Sequence, residues 1–264
     1  MILCKDSVFL LKNDTLSYLF RVGKYGELQH LHFGAPVDID DAEAFSCRPG
    51  LGWGSSVLLN DADSASCLDD YALEWSGSGR GDYRESPLEI GTSTDLRYVN
   101  HRILNGIAPM ANSLPQARGE CQTLEITMEQ PGLRAKLYYT LFETALTRRV
   151  VLENTGDAPV RLHKCMSFSM DIPGQFHLTS FHGGWSAEMR KNTAPVGGAK
   201  VVVESLTGAS SNRHNPGFML FEADATEDTG QETVTGPGSV YHRFHRLHFP
   251  QLNVFCRDYQ SYNQ

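Results

Sequence analysis

Apolar and polar residues alternate along most of this chain with a period of two. Leu16, Tyr18, Phe20 and Val22 fall on one face of a stretch whose other face carries Ser17 and Arg21. Leu124, Ile126 and Met128 are interleaved with Thr123, Glu125, Thr127 and Glu129. Val160, Leu162, Met166, Phe168 and Met170 stand against Arg161, His163, Ser167 and Ser169. This is the strand period, and each stretch predicts a strand with one face on a core and the other toward water. Val150 and Leu152 are expected to share the core of Leu162, Met166 and Phe168. No segment carries an apolar helical face longer than two turns. Glycine, proline, asparagine and aspartate gather at the breaks, as in Glu153-Asn154-Thr155-Gly156-Asp157, where Asn and Gly supply a tight turn. The predicted fold is all-β, an antiparallel sandwich of two sheets over a shared core.

The 264 residues are enough for one large β-domain or two small ones, and either could bury a proper core. A net charge of −8 without any basic stripe argues against a nucleic-acid partner. The first residues, MILCKDSVFLLKND, are interrupted by Lys5, Asp6 and Lys12 and lack the apolar core of a signal peptide. No apolar run approaches the roughly 20 residues needed to cross a bilayer, so no membrane partner is expected. Cys4, Cys47, Cys67, Cys121, Cys165 and Cys256 form no C-x-x-C pair and read as free thiols of a reducing cytoplasm.

The most informative stretch is Trp75 to Ile90, WSGSGRGDYRESPLEI. Gly77, Gly79 and Gly81 permit backbone angles that other residues resist, so the segment can fold tightly around a small polar partner. Asp82, Tyr83 and Arg84 follow directly. An acid and a guanidinium suit hydroxyl groups, and an aromatic suits a ring face, so the combination points to a sugar. The plainer reading is a connection before a strand.

Upstream lies Gly50-Leu51-Gly52-Trp53-Gly54-Ser55; downstream lie the run from Tyr138 to Arg190 and Ser210-Ser211-Asn212-Arg213-His214-Asn215-Pro216. In this order, from about Val8 to Gly230, the motifs resemble the amino-terminal β-domain of family 36 glycoside hydrolases, the α-galactosidases acting on melibiose and raffinose-type sugars. The resemblance implies a large two-sheet supersandwich ahead of a catalytic barrel, a homo-oligomer, and a galactose-containing oligosaccharide as ligand of the full-length enzyme. It implies no cofactor and no metal. Residues 1–232 correspond to the β-domain. Residues 233–264 read as a divergent or truncated end, because the stretch from Tyr241 to Leu247 resembles a segment that the family carries later, as if the last strands were missing.

Enzymes of this family are retaining, with two carboxylic acids about 5–5.5 Å apart. In the family both are barrel aspartates, the nucleophile within a Lys-Trp-Asp stretch. This sequence has no such stretch, so no catalytic residue is assigned and the chain by itself is expected to be inactive. The resemblance instead implies a supporting role: loops of this domain reach a neighbouring subunit's active site and help close its sugar pocket. Trp53, Asp69, Asp70, Asp82, Tyr83 and Arg84 lie in the matching loops. Asp82, Tyr83 and Arg84 are expected on an exposed loop or strand edge, with Arg84 paired with an acid such as Asp82 or with water. A buried core indole is the other reading of Trp53, and a solvated turn beside Tyr71 is the other reading of Asp69 and Asp70.

Other features read as structure. His30 and His32 share one face of a strand and could bind a metal, but no third ligand stands near, so two surface histidines are expected. His242, His245 and His248 have a helical spacing and are expected to cover a neighbouring surface. Trp185 is expected in a core, and Asn215-Pro216 in a turn. Two other functional classes remain open. One is a non-catalytic carbohydrate-binding or oligomerisation module. The other is a mutarotase-like enzyme, for which His101 or His177 with Glu125 would supply the acid and base.

Overall fold

Asp6 and Ser7, at φ 48° and 64°, make the first turn of the chain. Both central residues of this two-residue hairpin are left-handed, which matches the twist of the strands it joins. The structure is a computed structural model, and it describes residues 1–46, 57–110, 116–172, 176–196, 201–205, 213–222, 245–249 and 256–257. The chain divides into two compact units, Met1–Phe168 and Ser169–Gln264.

In the first unit β1 (Ile2–Lys5), β2 (Val8–Lys12), β3 (Ser17–Val22) and β4 (Leu28–Gly34) form an antiparallel meander in sequence order. Further along, β5 (Leu88–Ile90) precedes a second meander of β6 (Arg97–Asn105), β7 (Cys121–Gln130), β8 (Leu133–Phe142) and β9 (Leu146–Asn154). Finally β10 (Leu162–Phe168) pairs antiparallel with β5. The all-β antiparallel architecture expected from the alternation is the one observed.

The two meanders meet through an aromatic seam. The Phe20 and Tyr139 rings stack at 4.9 Å, and Phe9 meets His101 edge-on at 4.8 Å. Leu124, Ile126 and Leu137 complete this core and are fully buried.

Several polar faces expected in water are covered. Ser17 lies fully buried, and its Oγ accepts the Val37 amide at 3.0 Å. The 3₁₀ segment Ile39–Phe45 packs there, with Ala42 against Leu10 and Leu19. Thr123, Glu125 and Thr127 are buried as well. Thr123 donates to the Gly106 carbonyl at 2.7 Å, and Glu125 accepts from Arg102 at 2.8 Å. Ser17, Thr123 and Glu125 each keep a partner, which is what makes their burial tolerable. Two apolar assignments also reverse. Val160 and Leu162 are 39% and 38% exposed, and Phe168 is half-buried, whereas Met166 and Met170 are buried as expected. The Asn154–Gly156 turn is present, with the Gly156 amide on Asn154 Oδ1 at 3.1 Å. It joins strands of different sheets and does not close a hairpin, so the alternation does not continue across it.

In the second unit β11 (Phe176–Gly183), β12 (Arg190–Val196) and β14 (Arg213–Glu222) form a sheet of order β12-β11-β14. There β13 (Val201–Ser205) pairs antiparallel with β15 (His245–Phe249). The expected turn at Asn215-Pro216 lies within β14 instead. A register shift between Ser180 and His182 of β11 faces it, and proline is accommodated in a sheet at such an irregularity. The helical spacing of the C-terminal histidines is likewise overturned, since His245 and His248 belong to β15. His242 lies outside the described residues.

The first unit is closed around a charge. Glu74 is fully buried; Tyr18 donates to its Oε1 at 2.5 Å and Tyr139 to its Oε2 at 2.7 Å. His30 Nδ1 lies 2.8 Å from Oε1, and Arg148 Nη1 lies 3.1 Å from Oε2. Arg148, itself 5% exposed at its side chain, also donates to both tyrosine hydroxyls, at 3.3 and 3.1 Å. Its guanidinium sits 4.3 Å from the centre of the Tyr139 ring. Burial pushes the Glu74 carboxyl up, but Arg148, His30 and Tyr18 outweigh it and hold the group below its ordinary value.

Replacing Glu74 by Gln strands the Arg148 charge and is expected to cost about 3–5 kcal/mol in urea unfolding. The pH dependence follows from the lowered carboxyl. Its contribution is complete above about pH 4, the ordinary carboxylate range, and is lost as pH falls through the lower folded value. The acid limb of the stability profile should therefore be shallower in Glu74→Gln than in the parent chain.

Candidate functional site

Between Glu74 and β5 the chain makes the loop that the glycine pattern singles out. Gly79 is left-handed, at φ 79°, and a Cβ there would lie 2.5 Å from the Thr92 carbonyl oxygen. Gly77 lies so close to the Thr94 carbonyl that no side chain fits. Glycine is therefore required at both positions for the loop and the connection at residues 92–94 to approach. The loop is laced to β5 by Ser78 N to Leu88 O at 2.9 Å and Leu88 N to Ser76 O at 3.2 Å. Trp75 beneath it is 3% exposed, and its indole N–H donates to the Met166 carbonyl at 2.8 Å.

Five of the six sequence-predicted residues come together on this base. Asp69 and Asp70 sit on the 3₁₀ turn Leu68–Asp70, whose Leu68 is buried against Leu59 and Leu73. Asp69 is exposed, and its Oδ1 accepts the Tyr83 amide at 3.4 Å, which ties the turn to the glycine loop. Arg84 reaches back the same way, with Nη2 3.4 Å from the Leu68 carbonyl. Tyr83 is 66% exposed. The sixth residue, Trp53, lies outside the described residues.

Two of the acids turn inward. Asp70 is 3% exposed and accepts the Cys67 amide at 3.2 Å, so it closes its own turn and faces no solvent. The Asp82 side chain, expected on an exposed loop, is only 4% exposed. Its Oδ2 accepts the Ser76 hydroxyl at 2.5 Å; its Oδ1 accepts the Arg84 amide at 3.2 Å and Arg84 Nε at 2.9 Å. The expected pairing of Arg84 with Asp82 is therefore present. Asp82 is the brace that aims the guanidinium, while Asp69, Tyr83 and Arg84 form the accessible edge. An exposed carboxylate, a phenol and a partly exposed planar donor fork, held on a rigid base, are suited to hydroxyl groups and a ring face.

The remaining candidates are dispersed. A bulge in β4 pairs Phe20 with His30 and Leu19 with His32, leaving Leu31 extra. The two histidines thus project to opposite faces, and His30 is buried on Glu74 where two surface histidines were expected. His32 meets the Ala35 carbonyl at 2.9 Å. The mutarotase pairing is not assembled on β6 and β7. His101 pairs in register with Ile126, and Arg102 with Glu125, so His101 and Glu125 face opposite ways. His177 stacks on Phe221 at 5.7 Å. Trp185, expected in a core, is 91% exposed on the connection between β11 and β12.

The sequence from residue 26 to residue 236 matches the model of the glycosyl hydrolase family 36 N-terminal domain. The chain is 32% identical over 248 residues to alpha-galactosidase AgaA of Geobacillus stearothermophilus, covering 88% of this chain and 33% of that protein. It is 28% identical over 267 residues to alpha-galactosidase Mel36A of Lactobacillus acidophilus, covering 95% of this chain and 36% of that protein. Among solved structures it is similar to the alpha-galactosidase AgaB of Geobacillus stearothermophilus, with a TM-score of 0.84 at 26% identity over 97% of this chain and 37% of that one. It is also similar to a variant of AgaA in complex with stachyose, with a TM-score of 0.82 at 28% identity over 95% of this chain and 37% of that one. The chain thus spans about a third of the length of these relatives.

Arg84→Ala should lower stability by about 1–3 kcal/mol, because it leaves the buried Asp82 carboxylate short of a donor. Tyr83→Ala and Trp185→Ala, at exposed positions, should change it by no more than about 0.5 kcal/mol. Parallel urea titrations of the three variants check the ranking.

Proposed function

The chain belongs to the glycosyl hydrolase family 36 N-terminal domains, and from that membership we propose that it is the amino-terminal β-domain of an α-galactosidase. In this reading residues 1–232 make the domain and 233–264 its divergent end. The domain supports a homo-oligomer and offers the Asp69, Tyr83 and Arg84 edge, with Trp53, to the sugar pocket of a neighbouring subunit. The substrate is a terminal α-galactosyl residue of a melibiose or raffinose-type oligosaccharide. Cys4, Cys67, Cys121 and Cys165 are free thiols, which is compatible with a reducing cytoplasm.

The observation that carries this reading is the brace on Arg84. A guanidinium whose Nε is fixed on a buried carboxylate at 2.9 Å keeps the rest of its fork in one orientation. Such a donor meets a sugar hydroxyl without first losing side-chain freedom, so the interaction retains most of its strength. Asp69 accepts a second hydroxyl, and the chain's share of the work is orientation and exclusion of water. Bond cleavage needs two carboxylic acids flanking the glycosidic bond, which the remainder of a full-length enzyme would supply.

The test is made in a longer family member that carries the same loop. Alanine at the position matching Arg84 should reduce kcat/KM for raffinose by about ten- to a hundredfold, the value of one or two charge-assisted hydrogen bonds. The present chain assayed alone should show no turnover of raffinose. Unchanged kinetics in the longer enzyme would make the loop a connector only.

A further inference from the structure

A cleft of about 510 Å³ opens on the face of the first sheet that carries the Ile39–Phe45 segment. At its wall lies Glu27, only 5% exposed. Tyr25 N donates to Glu27 Oε2 at 3.0 Å and Gln29 Nε2 to Oε1 at 2.7 Å. No cation sits on this carboxylate among the described residues. Gln29 in turn accepts Arg21 Nε at 2.9 Å, and the rest of that guanidinium is spent on Glu43 at 3.0 Å and Ser46 at 2.7 Å. Gly23 makes the arrangement possible, since any Cβ there would collide with Glu27 Oε1 and stand 2.6 Å from Gln29 Nε2.

A buried carboxylate without a cation is costly unless its lone pairs are filled. An ionised carboxyl offers about four acceptor sites, of which the protein fills two, so Glu27 is short of donors on its cleft side. The surroundings decide which donors fit. Arg21, Lys5 and Lys24 line the cleft and are themselves paired, with Glu43, Asp40 and Asp63. Asp6, Asp40 and Glu43 line it too, so the bases are cancelled and an anion would meet Glu27 with no unpaired base to hold it. A neutral ligand rich in hydroxyls supplies the missing donors and leaves the existing ion pairs in place. Tyr25 and Tyr71 also line the cleft and pack against Leu59, Leu68 and Leu73, with Lys24 Nζ 4.9 Å from the centre of the Tyr25 ring and the Tyr25 hydroxyl on Asp63 at 2.6 Å. The volume lies within the ~300–1,000 Å³ typical of small-molecule sites.

We infer that this cleft is a binding site for a neutral polyhydroxylated ligand, a sugar or polyol, with Glu27 as the hydroxyl acceptor. The inference does not depend on the role proposed for Asp69, Tyr83 and Arg84.

Calorimetric titration of the whole chain with raffinose, spermidine and inorganic phosphate tests it. Raffinose should bind in the millimolar range, and Glu27→Gln should weaken it at least about tenfold, the loss expected for a hydrogen bond to a charged acceptor. In the unaltered chain, hydrogen exchange with raffinose present should slow at residues 23–29. This measurement decides the matter even where Glu27→Gln fails to fold. Raffinose binding that Glu27→Gln leaves untouched, protection confined to residues 76–84, or no binding at all would overturn the site. A preference for spermidine or phosphate over raffinose would overturn the ligand class.

Discussion

Everything in the first unit is arranged around one carboxylate that never meets water. Glu74 is reached from β3 by Tyr18, from β4 by His30, from β8 by Tyr139 and from β9 by Arg148. These strands belong to both meanders, so the acid pins one sheet to the other while the aromatic seam fills the space between. The constraint is severe. Removing a lone buried charge from water costs far more than one hydrogen bond returns, so the acid is acceptable only while all its partners are in place. Burial raises the Tyr18 and Tyr139 hydroxyls far above their usual range, which keeps both as donors and leaves Arg148 as the balancing charge. A cluster of this kind is poor at adding stability relative to an apolar core, but it tolerates only one alignment of the sheets.

That alignment sets the loop that follows. Trp75 and Ser76 come directly after Glu74, and both point into fixed contacts, the indole on Met166 and the hydroxyl on Asp82. The brace on Arg84 is therefore two hydrogen bonds from the buried charge network through covalently adjacent residues. A loop with three glycines would ordinarily be mobile, because glycine adds conformational freedom. Here the glycines act the other way. They allow the loop to lie against Thr92 and Thr94 so closely that side chains are excluded. The accessible edge of Asp69, Tyr83 and Arg84 thus inherits the rigidity of the core.

The alternation along the sequence was sufficient for fold class, because period two in an antiparallel sheet is a local property of successive residues. It was insufficient for facing wherever something covers the second side. Ser17 and Thr123 read as solvent positions, since nothing near them in sequence announces the 3₁₀ segment over the one or the Gly106 carbonyl that meets the other. The β4 bulge has the same origin. One extra residue, Leu31, moves His30 and His32 to opposite faces, and no composition signal marks it. The loop at residues 76–84 was legible because glycine spacing, acid and guanidinium lie within nine residues. Glu74 was missed, although it is the central residue, because its four partners stand 44 to 74 positions away and its neighbours Leu73 and Trp75 make it look like the outward residue of a strand. Trp185 was misplaced for the reverse reason. Its apolar surface suggests a core, but the preceding Gly183 and Gly184 put it at the tip of a hairpin.

Glu74 and Glu27, two of the buried glutamates of the first unit, show how the same group serves opposite ends. Glu74 has its charge matched by Arg148 within 3.1 Å and its lone pairs filled by tyrosine hydroxyls, so nothing remains for a ligand to improve. Glu27, nearly as buried, receives one backbone amide and one carboxamide and no cation. The guanidinium that might have neutralised it is turned toward Glu43 and Ser46, with Gln29 interposed. The interposed amide instead relays the arginine's polarity while leaving the carboxylate short of donors on its open side. Glu74 is structural because its charge is cancelled within the protein, whereas a carboxylate left uncancelled beside a cleft is where a hydroxyl-bearing ligand has free energy to gain.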